Sequence, residues 1–254
     1  MTKCTRGRRI RTASTCEALG ISIVTGHTAR YDGCAWPMVG GATCIALGPV
    51  DAYITPEMAR PGDAIVVTKG AAIEATALFA ATFPQRLTEA VGADVVAAAD
   101  ALFEQMSVVP EAVVARRFGV RDAGVTAMHD ATEGGVLGGL LEVAVASRNG
   151  MRIELDAIPV RPEVRAVCGH VGIDPYHAIS EGTLIATVVP ERADAFLRAL
   201  AAQGIAAAVV GEVLPAAAGR SLIRGGVAEP LEHPGLDPFW GAFGSWAAEA
   251  ASRA

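Results

Sequence analysis

Apolar residues come in short clusters whose spacing changes along the chain. Ile21 to Val24 is a β-compatible run that stops at Thr25-Gly26-His27-Thr28, and Gly40 to Leu47 is a second run of small, β-compatible residues. Arg60-Pro61-Gly62-Asp63 is a turn signal, and the apolar run Ala64 to Thr68 behind it predicts the first strand of a new unit. Helical patterns follow around 72–83, 86–105 and 110–118, then a strand over 125–129, a glycine-punctuated helix over 134–147 and a strand over 151–155. Further strands are expected at 183–189 and 205–213. Between them Pro190 opens a helix in which Ala193, Phe196, Leu197 and Leu200 recur at helical spacing until Gly204 ends it. In the tail, Phe239, Trp240, Phe243 and Trp246 predict a packing helix.

Strands interleaved with helices predict an α+β chain in which a sheet carries packed helices, with strand directions left open by periodicity. The boundary falls at the Pro61-Gly62 break. It divides a partial, β-rich amino-terminal domain over 1–60 from an α/β carboxy-terminal domain over 61–230 and a tail helix over 231–254.

Composition narrows the function classes. The chain has 254 residues, 52% hydrophobic and 19% charged. The mean hydropathy of +0.37 invites a membrane reading, but no apolar run approaches the roughly 18 residues a span needs. No membrane partner is expected. A formal net charge of −6 offers no positive field for a phosphate backbone, so no nucleic acid is expected either. Five cysteines, an odd number without a Cys-x-x-Cys pair, point to a reducing, cytoplasmic setting rather than a disulfide framework or a zinc knuckle.

The stretch Met128 to Gly135 puts Asp130, Thr132 and Glu133 where a strand gives way to a helix. Free N–H groups at a helix start favour phosphate, and Asp130 and Glu133 have the oxygen chemistry Mg²⁺ takes. Asp130 or Thr132 serves equally well as a plain helix cap. Gly26-His27-Thr28 reads as a tight turn or a ligand-facing segment, and Glu181 in Ser180-Glu181-Gly182 as a general base or a solvated loop acid. The histidine spacings match no closed zinc site. Nucleophile-elbow, Walker and dinucleotide-binding fingerprints are absent from the sequence.

Several ordered segments together resemble one superfamily, that of aminoimidazole ribonucleotide (AIR) synthetase, selenophosphate synthetase, thiamine-monophosphate kinase and the hydrogenase maturation factor HypE. Asp130-Ala131-Thr132-Glu133-Gly134-Gly135 resembles the Asp-Pro-Thr-Arg-Gly-Gly of the HypE branch. Ile158 to Arg165 is similar to that branch's next stretch, and Gly172-Ile173-Asp174-Pro175 with Ser180-Glu181-Gly182 to its Gly-Leu-Asp-Pro and Asn-Glu-Gly.

The resemblance implies a PurM-like two-domain fold, a homodimer formed through the amino-terminal domain, and ATP with Mg²⁺ activating an oxygen of a small-molecule or protein-bound substrate. It implies Asp130 as the metal-facing residue, to which the local reading adds Glu133, and it sets Gly26, His27, Thr28 and Thr132 near the nucleotide, with Gly134 and Gly135 as further nucleotide-side candidates. Glu181 falls on the substrate side, as the catalytic candidate. Three departures stand out. His27 replaces the acid of other branches, and the resemblance begins only near Ala18-Leu19-Gly20, behind the relatives' Gly-Asp-Asp-Ala-type and Thr-Thr-Asp-type segments. The terminal cysteine of the classical factor has no counterpart, the last cysteine being Cys168. A thiamine-monophosphate kinase-like enzyme and a non-catalytic dimerisation module remain the alternatives.

Overall fold

The computed structural model describes residues 13–26, 41–233 and 235–252. Contacts divide the chain into Met1–Gly48 and Pro49–Ala254. In the first unit a short helix, α1, spans residues 13–18, and residues 21–26 and 41–48 have no regular structure. The strands predicted over 21–24 and 40–47 therefore do not form among the described residues. A strand needs partner N–H and C=O groups along its length, and the described part of this unit offers no such ladder, leaving Ile23, Val24, Ile45 and Leu47 exposed. His27, Thr28 and Gly40 lie outside the described residues.

The second unit is built on seven strands in the order β2-β4-β1-β5-β3-β6-β7. They are β1 (Ala64–Thr68), β2 (Val125–Ala131), β3 (Gly150–Glu154), β4 (Thr183–Val188), β5 (Ala207–Leu214), β6 (Arg220–Arg224) and β7 (Val227–Pro230). All pairings are antiparallel except β3 with β6.

Strand alternation sorts the apolar side chains onto two faces. Ile65 and Val67 of β1 and Ile185 of β4 join the core under helix α6 (Gly135–Ala146). Val66, Leu184, Ala186 and Val188 face the other way, onto α5 (Val109–Phe118) and α8 (Ala193–Ala201). Beside the sheet, α2 (Ile73–Thr82), α3 (Pro84–Val91), α4 (Ala93–Asp100), α7 (Pro162–Val171) and α9 (Pro238–Ser252) enclose a third core. Phe79 is its centre, with ring centroids 5.4 Å from each of Phe239, Phe243 and Trp246. The tail helix is thus part of this unit's interior.

Turns 49–62 belong to the same unit. Gly62 N–H donates to the Val213 carbonyl and Asn149 Nδ2 to the Ala59 carbonyl. Among the described residues, no helix is long and apolar enough to cross a membrane.

Candidate functional site

β2 delivers its last residues to the edge of the α6 amino terminus. Thr132 is half-buried, Glu133 exposed, and Gly134 and Gly135 are buried. Both glycines have positive φ, +78° and +64°. At Gly135 a Cβ would lie 2.6 Å from the Tyr176 carbonyl oxygen, so the turn needs glycine for space as well as for conformation. The 176 carbonyl is close because it accepts from Leu137 N–H, which docks the 174–178 loop on the first turn of α6.

Strand pairing brings the second sequence-predicted acid here. Ala131 lies opposite Thr183 and Asp130 opposite Leu184, so the Ser180-Glu181-Gly182 loop ends beside the end of β2. Gly182, at φ +98°, packs where a Cβ would meet the Gln105 carbonyl oxygen at 2.4 Å. Thr183 Oγ1 donates to the Gly70 carbonyl, and Leu184 N–H to Thr68 Oγ1. These bonds pin the loop to the β1–α2 connection. From the first turn of α2, just beyond that connection, comes Glu74, whose Oε2 accepts the Glu181 N–H at 3.0 Å.

The result is a convergence of carboxylates. Partial burial and the charge of Asp130 push the Glu181 carboxyl above its ordinary range. Burial pushes Glu74 up as well, against the bond from Glu181 N–H, and the charges of Glu181, Asp237 and Glu133 add to the rise. Asp237, at the start of α9, accepts Gly134 N–H at 2.8 Å. Asp130 is also 3.2 Å from His129 Nδ1, whose other ring nitrogen is 2.8 Å from Glu142 Oε2.

Of the residues singled out in the sequence, Asp130, Thr132, Glu133, Gly134, Gly135 and Glu181 come together at this junction. Gly26 lies in the first unit, exposed and in irregular structure. Glu74 and Asp237 were missed. Only Asp237 had a local signal, an acid followed by proline ahead of an aromatic helix, the pattern of a cap with Pro at the first helical position.

The carboxylates are the donor type Mg²⁺ takes. Among the described residues, however, no three His, Cys, Asp or Glu side chains form a group that could hold a metal ion. Asp130 and Glu133 do not complete a metal site by themselves. Cys168 is buried, and burial pushes its thiol up to about 11.

The family model of AIR synthase related protein, C-terminal domain, matches residues 60–223. The chain belongs to the AIR synthase related family. Within it the chain is HypE-like. It is 33% identical over 202 residues to the carbamoyl dehydratase HypE of Rhizobium leguminosarum bv. viciae, covering 77% of this chain and 53% of that protein. A crystal structure of hydrogenase maturation protein HypE in complex with ATP is similar at 27% identity and TM-score 0.54, over 75% of this chain and 56% of that one. Thiamine-monophosphate kinase from Stenotrophomonas maltophilia K279a shares the fold, with TM-score 0.53 and 18% identity over 70% of this chain and 55% of that one. The chain spans about half the length of the relatives it matches. An α+β, PurM-like architecture is what all of these share with it.

Proposed function

We propose that this chain supplies the carboxy-terminal part of a HypE-like, nucleotide-dependent activity, with the phosphates of ATP facing the β2–α6 junction and an oxygen of a small or protein-bound substrate activated by phosphoryl transfer. The observation that carries the reading is the placement of Glu181 beside Asp130 at the end of β2, with the Glu181 carboxyl held toward its protonated form. A carboxyl tuned in this way can give a proton to a substrate oxygen and take one back. The ATP-bound HypE relative supports nucleotide as the ligand. The positive end of the α6 dipole is the phosphate-facing element of the reading, with Thr132 and the Gly134–Gly135 turn beside it.

Asp130 and Glu133 are the residues that would meet Mg²⁺. They do not close a site alone, so no step is assigned to the metal. Cys168, buried and with a raised thiol pKa, is no candidate for a carrier of the terminal-cysteine kind. The amino-terminal unit, with Gly26, His27 and Thr28, belongs to the nucleotide side and to a homodimer in this reading.

Titration with ATP, with and without Mg²⁺, followed by calorimetry and thermal unfolding tests it. Saturating nucleotide should stabilise the fold by about 2.7 kcal/mol at 100 times Kd. Asp130 lies in β2 and the N-cap of α6 is Gly134, so neither Asp130 nor Thr132 caps that helix. The isosteric Asp130→Asn should keep the fold and weaken binding, and Glu181→Gln should bind but not turn over. No stabilisation by nucleotide, or binding indifferent to Asp130→Asn, would remove the proposal. Wild-type binding with no turnover in any form would leave the non-catalytic module.

A further inference from the structure

The loop that carries Glu181 is held differently on its two sides. Toward the β1–α2 side it is hydrogen-bonded, Thr183 Oγ1 donating to the Gly70 carbonyl at 2.7 Å and Glu181 N–H to Glu74 Oε2 at 3.0 Å. Toward residues 105–106 the contact is backbone against backbone. A Cβ at Gly182 would lie 2.4 Å from the Gln105 carbonyl oxygen and 2.7 Å from Met106 Cα. A shift of the 105–106 backbone toward the loop therefore collides with Gly182, and a shift away opens a gap beside it.

That backbone ends a short 3-10 turn, Ala101–Gln105, and two cations fix it. Lys69 Nζ donates to the Gln105 carbonyl at 2.9 Å and to the Ser107 carbonyl at 2.8 Å. Arg161 Nη1 donates to Gln105 Oε1 at 3.0 Å, across 56 residues of sequence. The guanidinium is braced from behind, with Nε 2.6 Å from Oε1 of the buried Glu163. Pro162 restricts the Arg161 backbone to the extended conformation it has as the N-cap of α7.

Neither element needs this bridge to dock. Val164, Val167 and Cys168 seat α7 in the third core, and Leu102 seats the turn before Gln105 there. What the Arg161–Gln105 bond adds is the orientation of the last residue of the turn. A planar guanidinium whose N–H groups are committed to two partners suits that task better than a point charge does.

We propose that Arg161 is a positioning residue for Glu181, acting through Gln105: the guanidinium, braced by Glu163, sets the 105–106 backbone against which the Glu181 loop is seated. Its part in catalysis rests on Glu181 as the proton-transferring carboxyl proposed above. The seating of the loop does not, and it is measured without ligand.

Gln105→Met breaks the bridge and leaves both the Lys69 bonds to the main chain and the Arg161–Glu163 pair in place. Arg161→Lys keeps a cation for Glu163 and gives up the fork that reaches both partners. Gln105→Glu restores an acceptor for Arg161. Hydrogen exchange on the full chain is read at the Glu181 amide and at the Thr183 amide, which donates to the Ser180 carbonyl at 3.0 Å, with the amides of β1 as control. Exchange at the two loop amides should be about tenfold faster in Gln105→Met and Arg161→Lys, with β1 unchanged, and return to the wild-type rate in Gln105→Glu. Turnover of Mg-ATP should show the same order, kcat falling about tenfold at constant KM in the first two variants and recovering in the third. Unchanged loop amides, acceleration shared by β1, unfolding of the first two variants, or no recovery in Gln105→Glu would overturn the proposal. A loosened loop with wild-type kcat would overturn it as well. Loosened loop amides in a chain whose wild type turns nothing over would keep the seating and remove the proton-transfer reading of Glu181.

Discussion

Lys69 Nζ lies 2.8 Å from Oε1 of Glu111, a residue with no exposed surface. The ammonium also donates to the carbonyls of Gln105 and Ser107, so one side chain at the end of β1 clamps the segment leading into α5. Neither Glu111 oxygen has a directed hydrogen bond. The charge of Lys69 is therefore what compensates the buried carboxylate.

Lys69→Met should cost about 3–5 kcal/mol, since it strands a buried charge. Adding Glu111→Leu to the same chain should recover most of the loss, because an apolar pair of similar volume avoids the desolvation penalty. Urea unfolding of the two proteins checks this. A single variant as stable as wild type would show that water or a rearranged side chain already satisfies Glu111.

The α6 turn gives a matched pair of glycine substitutions. Gly135→Ala places a Cβ against the 176–178 backbone at a φ of +64°, and the conformation alone costs roughly 1–3 kcal/mol. Gly169→Ala lies inside α7, exposed, with nothing within 4 Å of the new Cβ, and should stabilise by about 1 kcal/mol. Opposite shifts in Tm are expected. Equal shifts would mean that the Gly134–Gly135 turn is not held as described.

Much of this unit could be read from the sequence because its signals are local. The run Ala64 to Thr68 behind Pro61-Gly62 gave β1 at its observed ends, and alternation or helical spacing gave β2, β4, α6 and α8. The pattern read as one helix over 86–105 breaks at Gly92, whose φ of +91° a continuing helix cannot use. β6 and β7, joined through Gly225 and Gly226, were missed because they are short, with one buried residue in β6 and none in β7, and show little apolar alternation. Helix α7 was missed although Pro162 opens it. At the site, Asp130 and Glu133 were legible at a strand–helix junction. Glu74 and Asp237 were not, because their links to Glu181 and Gly134 span 107 and 103 residues.

Glu74 should leave a mark on the pH dependence of stability. Burial, offset by the Glu181 N–H bond and reinforced by the neighbouring acids, raises its folded pKa above the ordinary 4.5. The folded protein then keeps a proton that the unfolded chain has lost. Its contribution to stability is complete below pH 4.5, falls as pH rises through the folded value, and is constant above it. Glu74→Gln keeps an acceptor for Glu181 N–H and removes the titration. The variant should melt higher than wild type at pH 7 and show a smaller decline on going up from pH 4.5. Parallel melting profiles of the two proteins would contradict the acid cluster.

Cys168 should be inert in the folded protein. It is buried in the third core, its Sγ 3.8 Å from Thr76 Oγ1. Burial, with the Thr76 contact opposing it and the charge of Asp174 adding to it, pushes its pKa to about 11. Since the thiolate is the nucleophile, less than about one part in a hundred is reactive at pH 8 even before access is considered. Iodoacetamide at pH 8, read by peptide mapping, should modify the exposed Cys44 rapidly and spare Cys168 until denaturant is added. A carbamoyl or phosphoryl group carried on Cys168 would need the opposite behaviour, so rapid native labelling of this thiol would reopen a covalent role for it and contradict the packing between α2 and α7.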